Sequence, residues 1–582
     1  MSERRIHSIL AADFGSVNTR ALLFDKVDGR YQLVGSGAGR TTIGAPADDA
    51  QAGLAAILQS MSEATGRRFF DEAGGIIRPE QADRVGVDYF LTTTSAGQSP
   101  RAVLVGLYPQ VSIAAARRAI APFYLDAVAE VHLEDGLSAR GRLNRIIHSR
   151  PQIIVITGGA DGGASTVLLE MLALVREAAS LMPPGSKPAV LYAGNSSLAA
   201  SVREMLSQQV EVLLAPNIRQ QGRDALEPVQ SALGRYFESV KRHRKAFQRI
   251  ALASDSGIVP TARPIDTMTA FFSRLREQDV LTIDVGSART MLSLGRKGLV
   301  QSVIGNDIGV GHSAAAALES IGEEEIGRWL PFHPRKGELA QYALNKGLRP
   351  ASAPLDMRDR YIEYALLRAG IRMMAGELSQ LDRGRVSLVI VAGGIFSGSG
   401  QGALDMMLLA DALALEGVVQ VKSDPHGALA AMGAMAPVEP TAVVQLANGN
   451  VLENVGTLLR ASGRAATGTS ALKVQARRDS GEVIEREVRA GDMWHLPIAN
   501  SRTVELRIQA KRGLSIGGKR RLRMKLSGGR GGVLIDARLG AQAAATTMTE
   551  RAVSMLRWYA AVTGQEGPVA IPENWLAAVE DV

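Results

Sequence analysis

The stretch Asp13-Phe14-Gly15-Ser16-Val17-Asn18-Thr19-Arg20 lies between two apolar runs, residues 6–10 and 21–24, and it restricts the possible folds more than any other. Two apolar runs joined by a Gly/Ser/Asn turn predict a β-hairpin. Gly15 lets the backbone approach a ligand closely. Successive N–H groups at the tip, with the side chains of Ser16, Asn18 and Thr19, can surround phosphate oxygens. Asp13, ending the first strand, can hold Mg²⁺ directly or through water. An ordinary hairpin that begins with an Asp gives the same pattern.

A similar device recurs at residues 280–294, where an apolar strand leads into Asp284-Val285-Gly286-Ser287-Ala288-Arg289-Thr290 and a second apolar arm. Residues 387–392 then form an apolar run that ends in Gly393-Gly394. Two Asp-x-Gly-Ser hairpins followed by a strand and a Gly pair resemble the two phosphate motifs and the adenosine motif of the actin/Hsp70/sugar-kinase ATPase superfamily. The resemblance implies an α/β fold of two ribonuclease-H-like lobes around a nucleotide cleft, with ATP and Mg²⁺ as cofactors.

At 582 residues the chain is too long for one core. We expect a first lobe over 1–258, which includes a βαβαβ segment at 151–245, and a second lobe over 259–440. A small all-β domain over 441–540 and a C-terminal helix and tail over 541–582 complete the expectation. The composition, 46% hydrophobic and 21% charged, is that of a globular protein. With no Cys, disulfides, thiolate metal sites and a Cys nucleophile are excluded, and a reducing, cytoplasmic location fits. No run approaches the roughly 18 apolar residues of a membrane helix. Asp13 interrupts the N-terminal apolar run too early for a signal peptide.

The net charge of +8 would help anionic ligands approach. One basic cluster, residues 241–245, falls at the end of an expected helix, where cations suit the dipole. A second comprises Lys511, Arg512, Lys519, Arg520, Arg521, Arg523 and Lys525. It suits an acidic partner, and the lack of interleaved aromatic residues argues against nucleic acid.

Between the motifs the chain alternates strand and helix. Residues 153–156 lead into Thr157-Gly158-Gly159-Ala160-Asp161-Gly162-Gly163, and residues 189–193 into Gly194-Asn195. This predicts a parallel sheet, and the Gly-rich exit before the helix reads as an anion site at the helix N-terminus or as a tight turn whose Asp161 caps the helix. Ser112 is read as another helix cap. Helices are expected at 314–321 and 428–435. After Pro437 come short runs with strand composition, at 443–446, 457–459, 472–475, 483–488, 504–508 and 533–535.

Together these stretches, with Thr94-Ser95-Ala96-Gly97 and Gly305-Asn306-Asp307-Ile308-Gly309, resemble the glutamate mutase accessory proteins of the MutL/GlmL type over about the first 440 residues. The Thr-Gly-Gly-x-Asp-Gly-Gly stretch is the most specific of them. The resemblance implies an ATP-driven factor that maintains or reactivates an adenosylcobalamin-dependent mutase, its client, and it allows a homo-oligomer. Carried over by residue, it gives Asp13 and Asp284 as catalytic and metal-holding groups. Gly15, Ser16, Asn18, Thr19, Gly286, Ser287, Arg289, Thr290, Asp307, Gly309, Gly393 and Gly394 then bind the nucleotide. The family's second motif usually reads Asp-x-Gly-Gly-Ala-Thr-Thr-Asp. Ser287, Arg289 and Met291 depart from it, so nucleotide binding without turnover stays open beside hydrolysis, and Arg289 can grip a phosphate itself. Two further alternatives are a small-molecule kinase, with Asp307 as its carboxylate, and a nucleotide-binding scaffold.

Overall fold

A carboxylate at the end of a central strand needs a neighbour on each side, and the computed structural model supplies such neighbours in two separate sheets. The structure describes residues 6–44, 46–163, 165–539, 547–565, 571, 572 and 575. By its contacts the chain divides into two units, Met1–Asp25 with Val34–Pro264, and Lys26–Leu33 with Ile265–Val582.

The first unit is built on β1 (Ser8–Phe14), β2 (Asn18–Val27), β3 (Arg30–Arg40), β4 (Tyr89–Thr94), β5 (Arg101–Val105), β6 (Asp126–Val131), β7 (Ile153–Gly158), β8 (Ala189–Gly194) and β9 (Val212–Leu214). A short ribbon of β10 (Arg219–Gln220) and β11 (Arg223–Asp224) comes next, then β12 (Ile258–Pro260). One sheet has the order β12-β4-β1-β2-β3. In it β1 runs antiparallel to β2 and parallel to β4, and β4 is parallel to β12. β1 is central and covered on both faces, so it is apolar almost throughout, and of its seven residues only Asp13 is not buried.

The other sheet of this unit, β6-β5-β7-β8-β9, is parallel throughout. Residues 151–245 contribute β7, β8 and β9 to it, and β5 and β6 lie beside them. Asp161 does not cap the helix that follows. Asp161 accepts from Ser196 N (2.8 Å) and Asn217 Nδ2 (2.9 Å), so it ties together the exits of three parallel strands. The helix Thr166–Leu181 begins without a side-chain cap. Ser112 likewise does not cap. It sits in a wide turn before the helix Ala114–Ile120 and accepts from Leu107 N and Tyr108 N.

The second unit contains β13 (Asp279–Val285), β14 (Thr290–Arg296), β15 (Leu299–Gly305), β16 (Val386–Ala392), β17 (Gly417–Asp424), β18 (Glu453–Arg460), β19 (Ser462–Gly463), β20 (Ser470–Arg478), β21 (Val483–Arg489), β22 (Met493–Leu496), β23 (Thr503–Ala510), β24 (Leu514–Ser515), β25 (Arg521–Ser527) and β26 (Val533–Asp536). Its large sheet is β15-β14-β13-β16-β17-β18-β26-β22. The first five strands repeat the pattern of the first unit, with β13 antiparallel to β14 and parallel to β16. A meander of three strands followed by two parallel ones is the ribonuclease-H-like lobe, and two such lobes in one chain make the actin-like ATPase fold.

After residue 440 the strands divide between two sheets. β18, β26 and β22 extend the large sheet, and β21-β20-β23-β25 form a sheet of their own. Residues 443–446, read from their composition as a strand, belong instead to the helix Pro440–Ala447. Pro440 stands in its first turn and the Glu439 carboxylate accepts from Thr441 N (3.2 Å), so start signals outweigh β-branched composition. The expected closing helix is Met548–Thr563, opened by a capping box of Thr547 and Glu550. Of the helix and tail expected over 541–582, residues 541–546, 566–570, 573–574 and 576–582 lie outside the described residues. Among the described residues, no helix is long and apolar enough to cross a membrane.

A buried ion network fastens this extension. Arg368, 1% exposed, donates to Asp411 Oδ2 (2.9 Å), to the Trp329 carbonyl (3.1 Å) and to the Tyr559 hydroxyl (2.7 Å). Asp411 also meets Arg538 (2.5 Å), which pairs with Asp536 (2.9 Å), and Arg460 stands 3.6 Å from Asp536. Burial alone would raise Asp536, but the guanidiniums of Arg538 and Arg460 outweigh it and hold the carboxyl down to about 2. Asp411→Ala leaves the buried Arg368 guanidinium without its carboxylate and Arg538 with Asp536 alone, and should cost about 3–5 kcal/mol in denaturant unfolding of the second unit. Asp536 stabilises the fold fully above the unfolded carboxylate value of about 4, and the contribution is lost as pH falls through about 2. Stability measured from pH 5 to 2 should therefore fall less steeply in Asp536→Asn than in the parent.

Candidate functional site

The two hairpins close with the same turn. Gly15 N donates to the Asn18 carbonyl (2.9 Å), and Gly286 N donates to the Arg289 carbonyl (2.8 Å). The registers also agree, with Asp13 opposite Arg20 and Phe14 opposite Thr19, Asp284 opposite Met291 and Val285 opposite Thr290. Asn18 and Arg289 thus hold equivalent positions at the tips. Thr19 and Thr290 are buried, at 1% and 2% exposure, while Ser16, Ser287 and Arg289 are half-buried and Asn18 is exposed.

In the first unit the Asp13 carboxylate is fixed by two neighbours. Thr93 Oγ1 on β4 and Thr261 Oγ1, just past β12, both donate to Asp13 Oδ1, at 2.6 and 2.7 Å. Its other oxygen, Oδ2, makes no hydrogen bond among the described residues. A carboxylate oriented through one oxygen with the other presented suits Mg²⁺, which takes one or two carboxylates and leaves its remaining positions to water and phosphate. The sequence points to the adjoining stretch Thr94-Ser95-Ala96-Gly97, which follows Thr93 directly. It gives no signal for Thr261, which lies 248 residues from Asp13.

In the second unit Asp284 stands beside Ala392 across the β13–β16 ladder, and Ala392 beside Asp424 of β17. Asp424 accepts from Ala428 N and Leu429 N, both at 2.8 Å, and so opens the helix Ala428–Met435. Gly393 follows with φ of 101°, and a Cβ there would come within 2.0 Å of the Val285 carbonyl oxygen. The turn between β16 and the short helix Gly394–Gly398 therefore requires glycine.

Ser287 braces the loop that follows β15. Its hydroxyl accepts from His312 N (2.8 Å) and meets His312 Nδ1 at 3.1 Å, and its carbonyl accepts from Gly311 N (2.9 Å) and Ser313 N (3.2 Å). The second hairpin is thereby joined to residues 305–313. Within that loop Gly309 is buried and Asp307 exposed. Each unit thus brings its own group together, Asp13 with Gly15 and Ser16 in the first, Asp284 with Gly286, Ser287, Gly309 and Gly393 in the second.

Solved structures with distant similarity include a chain of acetone carboxylase in its nucleotide-free form, at 13% identity over 84% of this chain and 81% of that one, TM-score 0.30. Component A of (R)-2-hydroxyglutaryl-CoA dehydratase from Acidaminococcus fermentans matches at 10% identity over 75% and 99%, TM-score 0.28. Xylulose kinase from Bifidobacterium adolescentis matches at 12% over 76% and 94%, TM-score 0.27. No curated protein matches the chain. The family model described as MutL protein matches residues 9–451, a span that holds both hairpins, the glycine pair and the parallel sheet between them, and the chain belongs to the MutL protein family.

Proposed function

We propose that this chain is an ATP-binding and ATP-hydrolysing accessory factor that maintains or reactivates an adenosylcobalamin-dependent mutase of the glutamate mutase type. The observation that carries the ATP reading is the repetition of one turn, with one strand-end carboxylate, in both ribonuclease-H-like sheets. Membership of the MutL protein family supports the accessory role.

Catalysis at such a site is mostly positioning and charge neutralisation. A bound Mg²⁺ supplies positive charge against the β- and γ-phosphate oxygens. Asp13, fixed by Thr93 and Thr261, holds that ion or its water in place. In the first hairpin the N–H groups of residues 16–18, and in the second those of residues 287–289 with the Arg289 guanidinium, would serve as phosphate donors, and Asp284 would order water. Gly393 and Gly394 give room for the adenosine. The binding energy of ATP then shifts a conformational equilibrium to which the mutase responds.

A second reading is binding without turnover. Met291, 4% exposed, stands opposite Asp284 where relatives are expected to carry a carboxylate. Calorimetry with Mg-ATP, with phosphate release followed in parallel, separates the two. Asp13→Ala should lose ATP affinity, and unchanged affinity would refute the site. Thr261→Val should keep affinity and lower turnover by roughly tenfold or more, because misplacing a reacting group by about 1 Å costs up to about 100-fold. Arg289→Ala should weaken ATP more than ADP if this side chain grips the terminal phosphate. Binding with no phosphate release in the parent would select the second reading.

A further inference from the structure

The sheet β21-β20-β23-β25 has one face buried against β18, β22 and β26, through Leu472, Val474, Leu506 and Ile508. Its other face is uncovered among the described residues. Successive side chains alternate, and the outward positions are Lys473 and Arg477 on β20, Arg507 on β23, and Arg521, Arg523 and Lys525 on β25. The carboxylates on that side are fewer. Glu505 lies 2.6 Å from Arg523 and 3.6 Å from Arg507, so one acid serves two guanidiniums. The remaining acids, Glu485 and Glu487, are on β21 at the far edge. The face forms an open depression of about 780 Å³, lined by the cations Lys473, Arg507, Arg521 and Arg523 and, from β21, by Glu485 and Glu487.

The register places Arg507 directly opposite Arg523. Like charges facing each other across a ladder destabilise a sheet. An anion seated on the face would relieve that repulsion. No aromatic residue lines the depression, so the stacking platform of single-stranded nucleic-acid binders is missing. A rigid sheet presenting spaced cations matches a folded acidic surface.

β25 runs directly into Gly528-Gly529-Arg530-Gly531-Gly532, which packs behind the glycine-pair strand exit. Arg530 donates to Asp405 Oδ2 (2.8 Å) and to the Phe396 carbonyl (3.2 Å), and Phe396 belongs to the short helix that begins at Gly394. Gly531 and Gly402 meet backbone to backbone, where a Cβ on Gly531 would come within 2.4 Å of the Gly402 carbonyl carbon. A displacement of β25 therefore bears on the end of the second lobe assigned to adenosine.

We propose that the outward face of this sheet docks an acidic surface of a partner protein, and that the β25–β26 connection couples docking to nucleotide binding. The coupling rests on the ATP reading; the docking does not. The test is a fluorescence titration of the full chain with poly-L-glutamate at low and at physiological salt. Its variants are Arg507→Glu/Arg521→Glu/Lys525→Glu and a control reversal at exposed sites of the first unit, Arg140→Glu/Arg150→Glu/Arg176→Glu. The parent and the control should bind, more weakly as salt rises, and the sheet variant should lose affinity by about tenfold or more. Equal binding by the sheet variant, or equal loss by the control, overturns the docking face. Tighter binding of a 20-base-pair DNA duplex through the same residues overturns the acidic-protein assignment in favour of nucleic acid. Melting curves of both variants establish that they fold. In the second arm, poly-L-glutamate should change Mg-ATP affinity in the parent and not in Arg530→Lys, with the reciprocal effect on poly-L-glutamate affinity. An unchanged ATP affinity in the parent overturns the coupling. Absence of ATP binding altogether refutes the nucleotide reading and leaves the docking result to stand or fall by the first arm.

Discussion

Two hydroxyls on a single carboxylate oxygen set the design of the first lobe. Thr93 and Thr261 reach Asp13 only because β1, β4 and β12 run parallel and in register, so that residues far apart in sequence end at one level of the sheet. A carboxylate held by two hydrogen bonds loses its rotational freedom and keeps one direction in the strand exit. The buried apolar run of β1 is the support for this.

The second lobe repeats the backbone without repeating the side chains. Where the first lobe sets Thr93 beside its Asp, the second sets Ala392, and the next strand ends in an aspartate that opens a helix. The first lobe spends its hydroxyls on a carboxylate; the second spends Ser287 on bracing a loop and leaves its strand exit to glycine. Two copies of one scaffold have thus given their corresponding positions different polar partners.

The two hairpins, the glycine pair and the helices Ala314–Ile321 and Ala428–Met435 could be read from the sequence because their signals are local: an apolar run, a turn residue, a periodic stripe. Thr261 could not, since its meaning depends on a ladder formed across the lobe. Asp161 looked like a cap because an Asp before a helix usually is one; its partners come from the two following strand exits instead. Residues 443–446 show that β-branched composition yields to a Pro in the first turn and a carboxylate before it. β25 escaped notice because an outer-face strand with a cation at alternate positions carries little apolar periodicity, and its charges drew attention before its alternation did.

The match to the family ends at residue 451, and β18 begins at Glu453. Without the strands beyond that point, β17 would be a long edge strand with unpaired backbone groups, a template for joining another chain. Here β18 pairs with that edge, and β26 and β22, which are separated in sequence by two of the four strands of the outer sheet, carry the ladder further. The C-terminal quarter is therefore woven into the lobe rather than appended to it. In the history of such a chain, it could not have been gained, lost or exchanged as a free module without the lobe acquiring some other way to seal its margin.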